Sequence, residues 1–420
     1  MNAILKISVV FICSLSVCSA ASAALSDDSA ERPIPVRVDG EPYTFPYHDP
    51  LYGTLAGYLS ISKISVPGDR VMKLHPNGFA SSVPVHAVIQ DGRAPLAIVL
   101  LGIGGRADAD FSRLWPSWFA EAGYHVLFFD STFRAPYMNM APKGPSGNLW
   151  AEADTVRDII DAFLNHPDVQ GKVDGIGITG MSYGGVQALI LGQMAQEGKL
   201  PFTVNAIQAY SPPVNLARTA QIFDRWYKEN RWCYTLVELA TKVGKHKPES
   251  DDAYGAPFSP SMMRAAISLS FREELADVVI RSDEKFKMNR LPKGDLFNDT
   301  FIKKENAEAW NFNKYIYDLA LPYWQQQIGQ NAVGKLVFDT ELCELLKTQP
   351  AYSETIVALD DPFNAPEDLD DLKHCAEGKR VTFLPTGGHL GYVGDEWTRT
   401  HLMTMFNQPH RAGTEKGGAR

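Results

Sequence analysis

The sequence of 420 residues predicts an α/β protein, with a mostly parallel sheet and helices on both of its faces. Three observations support this fold class. Short apolar segments alternate along the chain with segments whose apolar residues recur at helical spacing. Some apolar segments, such as residues 96–102, are continuous, as in strands buried on both faces. Another, at residues 173–180, runs directly into a glycine-rich turn followed by a helical segment.

The predicted elements follow one another along the chain. The first strand, residues 83–90, alternates partly between apolar and polar residues and ends at the turn Asp91-Gly92. Further apolar segments predict strands at 96–102, 124–130, 173–180, 204–211, 354–360 and 380–386. Apolar residues at helical spacing predict helices at 110–122, around 156–163, around 186–194 and at 396–406. Pro167 ends the second of these helices.

The alternation of strands and helices stops at Pro212-Pro213. Residues 214–345 are mainly helix-like and rich in aromatic residues, and strands resume only after them. A connection of about 130 residues is far longer than an ordinary loop, so it should carry its own structure. We therefore predict a core formed by residues 46–213 and 346–409, with residues 214–345 as a helical cap.

Residues 1–23 have the features of an export signal. Lys6 gives a positive start, residues 7–17 are apolar, and Ala-Ser-Ala at 21–23 matches a cleavage site. The apolar run is shorter than the ~20 residues that a bilayer-spanning helix needs. We expect cleavage near Ala23, export to the periplasm or out of the cell, and no stable membrane anchor afterwards.

Composition narrows the class of protein further. The polar segments 24–45 and 410–420 are expected to form a flexible lead-in and a disordered tail. The net charge of −9, without a basic cluster, argues against a nucleic-acid partner. After the expected cleavage Cys233, Cys343 and Cys375 remain, at spacings that match no zinc site. Export favours a disulfide between the last two of them.

Residues 180–184, Gly-Met-Ser-Tyr-Gly, have the form G-x-S-x-G and lie between a predicted strand and a predicted helix. In a nucleophile elbow a sharp turn exposes the serine hydroxyl above the sheet. The crowded turn requires small residues two positions before and two positions after the serine. Around Ser182, Gly180 and Gly184 meet this requirement, and Gly185 gives the helix room to pack on the strand. The alternative is a glycine-rich turn with an inert serine.

An elbow serine needs a base and an acid, which in this architecture follow it in the order serine, acid, histidine. His389 lies directly behind the predicted strand 380–386. Asp360 and Asp361 lie directly behind the predicted strand 354–360. We predict His389 as the base and favour Asp361 as the acid. Asp360 stays open as the alternative, because an Asp before Pro also forms turns.

Two backbone N–H groups should face the oxyanion that develops during acyl transfer. We predict that one comes from Tyr183, directly after the serine. The other is predicted to come from Ile103, in the loop after strand 96–102, where Gly104 and Gly105 shape the backbone. This chemistry requires no metal and no organic cofactor.

The same loop supports a different function class. Residues 102–107 fit the pattern G-x-G-x-x-A, and the strand after them ends in Asp130, as in NAD(P)-dependent oxidoreductases. Asp130 lies further along the chain than the acidic residue that binds the ribose in such enzymes. This alternative would also leave Ser182, the aspartates and His389 without a function. A third alternative keeps the fold without catalysis, as a binding protein.

Three segments, GITGMSYGGVQAL, VALDDPF and GGHLGYV, together resemble the α/β-hydrolase superfamily. The last two are most similar to its YheT-like, embryogenesis-associated esterase branch. The resemblance covers residues 80–212 and 350–405 and implies an eight-stranded α/β-hydrolase fold, with the cap inserted after strand 6. It also implies that Ser182, Asp361 and His389 form a triad that cleaves a small-molecule or lipid-like carboxylic ester. Lipase, thioesterase and peptidase activities stay open.

Overall fold

The computed structural model describes residues 36–38, 41–140, 143–233, 259–294, 299–329 and 341–407. The expected export signal at 1–23 and the expected tail at 410–420 lie outside the described residues.

The core of the described chain is an eight-stranded sheet. Its strands in chain order are β1 (Arg70–Leu74), β2 (Val83–Val88), β3 (Ala94–Leu100), β4 (His125–Phe128), β5 (Val173–Met181), β6 (Ala206–Tyr210), β7 (Ser353–Ala358) and β8 (Val381–Leu384). Across the sheet their order is β1-β2-β4-β3-β5-β6-β7-β8. Of the eight, only β2 runs against the others, because it pairs antiparallel with both β1 and β4. The eight-stranded, mostly parallel sheet of the prediction is thereby confirmed.

Helices flank the sheet in the described parts of the chain and account for most of the described residues between β6 and β7. They are α1 (Pro50–Ser60), α2 (Asp110–Glu121), α3 (Ala135–Met140), α4 (Leu149–Leu164), α5 (Tyr183–Gln196), α6 (Leu216–Asn230), α7 (Pro260–Lys285), α8 (Asp299–Glu308), α9 (Phe312–Tyr315), α10 (Leu321–Ile328), α11 (Leu342–Lys347), α12 (Pro366–Cys375) and α13 (Glu396–Asn407). Several of these helices begin at a residue whose side chain caps the N-terminus. Asp49 accepts a hydrogen bond from the N–H of Tyr52 at the start of α1, and Asn148 accepts one from Ala151 at the start of α4.

The centre of the sheet is buried on both faces. The side chains from Leu96 to Leu100 in β3 are at most 2% exposed, which accounts for the continuous apolar sequence of this strand. In β5, a Cβ atom added at Gly177 would lie only 2.1 Å from the ring of Phe406 in α13. A glycine at this position therefore lets the last helix pack directly on the sheet.

The N-terminal elements differ from expectation. The sequence pattern predicts neither α1 nor β1, and two short paired strands, Val36–Val38 and Glu41–Tyr43, fall within the expected flexible lead-in. Tyr43 is buried, and its ring meets that of Trp397 edge-on at 5.5 Å. β1 is an edge strand with two buried side chains out of five, so its apolar signal is weak. These elements owe their order to contacts with distant parts of the chain.

Most of the described residues between β6 and β7 are helical, as the insertion after the sixth strand predicts. Most of their buried apolar side chains belong to the same continuous core as those of the sheet, while Cys233 and Ala265 form a small separate cluster. For example, Phe133 of the sheet region contacts both Phe312 and Tyr315 of α9. The exact limits of the cap, at 214 and 345, stay a prediction.

The structure joins Cys343 of α11 to Cys375 at the end of α12 in a disulfide, which confirms the predicted bridge, and Cys233 is buried elsewhere. Within the described ranges, no helix is both long enough and apolar enough to cross a bilayer.

Candidate active site

Ser182 lies on a sharp turn between β5 and α5. Its backbone has φ 52° and ψ −120°, a conformation that non-glycine residues rarely adopt. Its N–H donates a hydrogen bond to the carbonyl oxygen of Tyr210 at the end of β6, at 2.8 Å. Ser182 is partly exposed, whereas Met181 and Tyr183 on either side are buried. The turn therefore presents this serine at the carboxyl edge of the sheet, as an elbow does.

The glycines around Ser182 are required by backbone packing. A Cβ atom added at Gly180 would lie 2.1 Å from the carbonyl oxygen of Gly184. One added at Gly184 would lie 2.4 Å from the carbonyl oxygen of Leu100 in the neighbouring strand. Neither position has room for a side chain, so the G-x-S-x-G pattern reflects the geometry of this turn.

Asp361 and His389 meet at the same edge of the sheet. The Nδ1 atom of His389 lies 2.8 Å from Oδ2 of Asp361. The other carboxylate oxygen of Asp361 accepts a hydrogen bond from the N–H of Phe363 at 2.9 Å. The two residues are 2% and 6% exposed, respectively, so the contact is shielded from water.

Asp360, the alternative acid, has a different partner. Its Oδ1 atom accepts a hydrogen bond from the N–H of Gly388 at 2.9 Å. Burial raises the pKa of Asp360, and the nearby charge of Asp361 adds to this effect. Of the two carboxylates, Asp361 therefore contacts the imidazole, while Asp360 holds the backbone just before it.

The loop that carries His389 is fixed from several sides. Gly388 and Leu390 both have positive φ, of 56° and 61°. The N–H of His389 donates to Oγ1 of Thr54 in α1 at 2.8 Å. On the other side, the ring of Phe363 stacks on the imidazole, with centroids 3.9 Å apart and planes 27° apart. These contacts fix both the backbone and the ring plane of the histidine.

The loop after β3 approaches the serine closely. Residues 102–105 form a tight turn in which the N–H of Gly105 donates to the carbonyl oxygen of Gly102 at 2.9 Å. A Cβ atom at Gly102 would lie 3.2 Å from Cβ of Ser182, so the loop is in contact with the elbow. Ile103, one of the two predicted oxyanion donors, lies within this turn.

Tyr183, the other predicted donor, is the first residue of α5, and its N–H has no carbonyl partner within the helix.

An aromatic wall connects the histidine with the elbow. Its members are Phe363, Phe223, Phe271, Phe312 and Phe133. It begins at His389, on which Phe363 stacks, and ends at Tyr183, whose ring lies 5.8 Å from that of Phe133. Phe271 of α7 is partly exposed, and the other four members are buried. Phe271 is therefore the most exposed member of the wall.

The contacts of the loop disagree with a dinucleotide site. Asp130, which would bind the ribose, accepts a hydrogen bond from the N–H of Ala107 at 2.8 Å and pairs with Arg134 at 2.5 Å. Helix α2 begins only at Asp110, several residues after the glycines at 102–105, so these glycines do not lie at its N-terminus. A fingerprint of this kind needs a helix that opens at the glycines and a free acidic residue. The match of residues 102–107 to G-x-G-x-x-A is explained by the tight turn instead.

Three residues near the site were not identified from the sequence as functional. Thr54 lies in an unpredicted helix, and Glu152 lies in an ordinary amphipathic helix, where it bonds to the hydroxyl of Tyr183. Phe363 belongs to the quoted segment VALDDPF, but nothing in that segment indicates that its ring stacks on His389. Each of these roles depends on contacts between distant parts of the chain.

The strand order, the elbow after β5 and the insertion after β6 together define an α/β-hydrolase fold. Neither a protein-family model nor a curated protein matches the sequence. Several solved structures align with most of the chain at low identity. An esterase of Pyrococcus furiosus is 13% identical with a TM-score of 0.44, over 90% of this chain and 97% of that chain.

The carboxylesterase CesB of Bacillus subtilis is 12% identical with a TM-score of 0.43, over 86% of this chain and 99% of that chain. An acylaminoacyl peptidase of Pyrococcus horikoshii is 13% identical with a TM-score of 0.42, and 85% of this chain aligns with 44% of that one. These similarities say nothing about the chemistry of this chain. The resemblance to the YheT-like branch stays a prediction.

Proposed function

We propose that this protein is an exported serine hydrolase that cleaves a carboxylic ester through Ser182, His389 and Asp361. The observation that carries the proposal is the hydrogen bond between the buried Asp361 and Nδ1 of His389, at the sheet edge where Ser182 occupies a strained turn. A serine, an imidazole and a buried carboxylate arranged in this chain order support acyl transfer.

In the proposed mechanism the Nδ1–H group of His389 donates a hydrogen bond to Asp361 and keeps its proton, so that the lone pair of Nε2 is free to accept a proton. Nε2 takes the proton of Ser182 as Oγ attacks the ester carbonyl carbon, and Asp361 stabilises the imidazolium. The N–H groups of Ile103 and Tyr183 bind the oxyanion. His389 then gives the proton to the leaving alcohol, and an acyl-enzyme remains. Water attacks the acyl-enzyme with the same assistance and releases the acid.

The aromatic wall supports an apolar acyl or alcohol group in the substrate. Its members adjoin both His389 and Tyr183, and Phe271 from the insertion is partly exposed. Aromatic side chains offer a large apolar contact area to a ligand. We propose a small-molecule or lipid-like ester that is larger than an acetate, enclosed under a cap formed by residues 214–345.

The disulfide between Cys343 and Cys375 supports export, because such bonds persist mainly in oxidising compartments. We propose that the chain is cleaved near Ala23 and acts in the periplasm or outside the cell. Cell fractionation followed by N-terminal sequencing of the mature protein tests this part. Recovery of the uncleaved chain in the cytoplasm would contradict it.

The function is tested by ester hydrolysis. Purified protein is assayed with p-nitrophenyl esters of rising acyl length and with a matching amide, and Ser182→Ala is assayed beside it. Ser117→Ala is the control, since this buried serine donates only within α2. We expect hydrolysis by the wild type and the control, faster with longer esters than with acetate, and none by Ser182→Ala.

Hydrolysis that survives in Ser182→Ala would contradict the proposed role of this serine. A folded wild type that hydrolyses no ester would favour the non-catalytic binding protein instead. The relative rates with the ester and the amide separate an esterase from a peptidase.

A further inference from the structure

A buried carboxylate lies against the residue that follows the proposed nucleophile. Glu152 of α4 is 3% exposed. Its Oε1 atom accepts hydrogen bonds from the N–H of Gly147 at 2.6 Å and from the hydroxyl of Tyr183 at 3.0 Å. Its Oε2 atom accepts hydrogen bonds from the hydroxyl of Thr132 and, at 3.0 Å, from the side-chain amide of Gln187. Four donors from residues 132–187 thus converge on one side chain.

The chemistry of these contacts suits an ionised carboxylate, which only accepts hydrogen bonds. None of the four donors carries a positive charge, however, and burial raises the pKa of Glu152 to about 7. The facing hydroxyls of Tyr183, Tyr137 and Tyr315 have pKa values raised above their ordinary range by burial, so they stay neutral. Burying a carboxylate without a cationic partner is unfavourable. Packing alone therefore does not explain why a glutamate occupies position 152.

Two of the donors belong to the start of the elbow helix. Tyr183 directly follows Ser182, and Gln187 lies one turn further along α5. The backbone of Ser182 is strained, because its φ is positive. Such a conformation is kept only when contacts with the surrounding structure stabilise it. By binding both side chains, Glu152 fixes the turn that contains the proposed oxyanion donor.

The other two donors belong to the segment on which the inserted helices rest. Oγ of Ser146 donates to the carbonyl oxygen of Thr132 at 2.6 Å. The hydroxyl of Tyr315 donates to the carbonyl oxygen of Ser146 at 2.8 Å, and Nε1 of Trp324 donates to that of Pro145 at 3.1 Å. The carboxylate therefore ties the elbow to the same segment that the insertion holds.

We propose that Glu152 is a positioning residue, whose buried carboxylate holds Tyr183 and the first turn of α5 so that the backbone N–H of Tyr183 faces the oxyanion. The inference rests on the proposed function. Glu152 acts through Tyr183 and does not touch the substrate. Loss of its hydrogen bonds should weaken binding of the transition state while leaving binding of the substrate nearly unchanged.

The test compares Glu152→Gln and Tyr183→Phe with the wild type. Tyr183→Phe removes the hydroxyl and keeps the backbone N–H. Glu354→Gln is the control, because Glu354 is also a buried glutamate, 5% exposed, but it accepts a hydrogen bond from Thr382 and lies 3.2 Å from Nε2 of His401, in another part of the sheet. The measurements are kcat and KM with p-nitrophenyl butyrate, the rate of phosphonylation of Ser182 by a fluorophosphonate, and the melting temperature.

We expect both elbow variants to lose about 10- to 100-fold in kcat, since small displacements of catalytic groups have effects of this order. KM should change by less than about 2-fold. Phosphonylation should slow by a factor similar to that for kcat. Glu354→Gln should keep its kcat even where its melting temperature falls.

A folded Tyr183→Phe variant with the kcat of the wild type would overturn the proposal, and this variant decides the matter if Glu152→Gln does not fold. An equal loss of kcat in Glu354→Gln at a similar melting temperature would also overturn it, because general destabilisation would then account for the effect. A wild type that is not phosphonylated at Ser182 contradicts the proposed function itself, and the inference falls with it.

Discussion

The Nδ1 atom of His389 lies 2.8 Å from Oδ2 of Asp361, in a contact where both side chains are almost fully buried. The neighbouring Asp360 binds the N–H of Gly388 instead. Two adjacent carboxylates thus have separate partners, one the imidazole and the other the backbone of the histidine loop. The difference allows their contributions to be separated experimentally.

Replacing each of these aspartates by asparagine should have different effects. Asp361→Asn leaves an amide that cannot stabilise the imidazolium, so kcat for ester hydrolysis should fall by about 10³- to 10⁴-fold. Asp360→Asn keeps an acceptor for the N–H of Gly388 and removes a buried charge, so kcat should change by less than about 10-fold. Steady-state kinetics on a p-nitrophenyl ester measure both. The reverse ranking would identify Asp360 as the acid.

Gly102→Ala should impair catalysis without unfolding the protein. The added Cβ atom would lie 3.2 Å from Cβ of Ser182 and 3.3 Å from the carbonyl oxygen of Met181, so the loop has to move by a few tenths of an ångström. Such a shift displaces the N–H of Ile103, and we expect kcat to fall about 10- to 100-fold. Gly92→Ala is the control, because a Cβ atom there has no neighbour within 4 Å. Unchanged kcat in Gly102→Ala would exclude this loop from the oxyanion site.

Titration of Glu152 should make the folded state less stable as the pH rises. Burial raises its pKa from 4.5 to about 7. Between these values the folded protein holds a proton that the unfolded chain releases. The contribution to stability is therefore complete below about pH 4.5 and is lost as the pH approaches 7, amounting to about 3 kcal/mol.

Urea unfolding of the wild type and of Glu152→Gln across this pH range measures the effect. The free energy of unfolding of the wild type should fall by about 3 kcal/mol relative to the variant. Asp395, whose pKa burial also raises to about 7, serves as a comparison, because Asp395→Asn should keep the contribution of Glu152. Parallel curves for the wild type and Glu152→Gln would show that the buried carboxyl does not titrate in this way.

The disulfide should stabilise the fold without contributing to the chemistry. Cys343 and Cys375 are 32 residues apart, and closing a loop of this size in the unfolded chain is worth about 3–4 kcal/mol. Replacing both cysteines by serine should lower the free energy of unfolding by about 3–4 kcal/mol and leave kcat unchanged at low temperature. A reductant should lower the melting temperature of the wild type but not that of the double variant. If the reductant lowered the melting temperatures of the wild type and of the double variant equally, it would act on a group other than this disulfide.

The proposed nucleophile, base and acid could be predicted because their constraints are local. Backbone packing demands glycine at positions 180 and 184, which leaves a readable pattern around Ser182. The acid and the histidine follow the ends of apolar strands, and parallel strands bring those ends to one edge of the sheet. The strands at the centre of the sheet were predictable for a similar reason, since burial on both faces requires continuous apolar sequence.

The parts of the site that sequence reasoning missed depend on distant contacts. Thr54 binds the N–H of His389, 335 positions further along the chain. Glu152 lies in an amphipathic helix whose pattern gives no reason to expect a buried carboxylate, and its four donors come from residues 132–187. The edge strand β1 has too few buried residues to be recognised from its sequence. Only the assembled fold gives these residues their partners.

The most direct test of the account is the reaction of the protein with a fluorophosphonate, followed by intact-mass and peptide mass spectrometry. A reactive serine becomes covalently modified when a positioned base activates it. We predict a single adduct on Ser182 in the wild type and in Ser117→Ala, and no adduct in Ser182→Ala. An adduct that persists in Ser182→Ala, or that maps to another residue of the wild type, would contradict the assignment of Ser182 as the nucleophile.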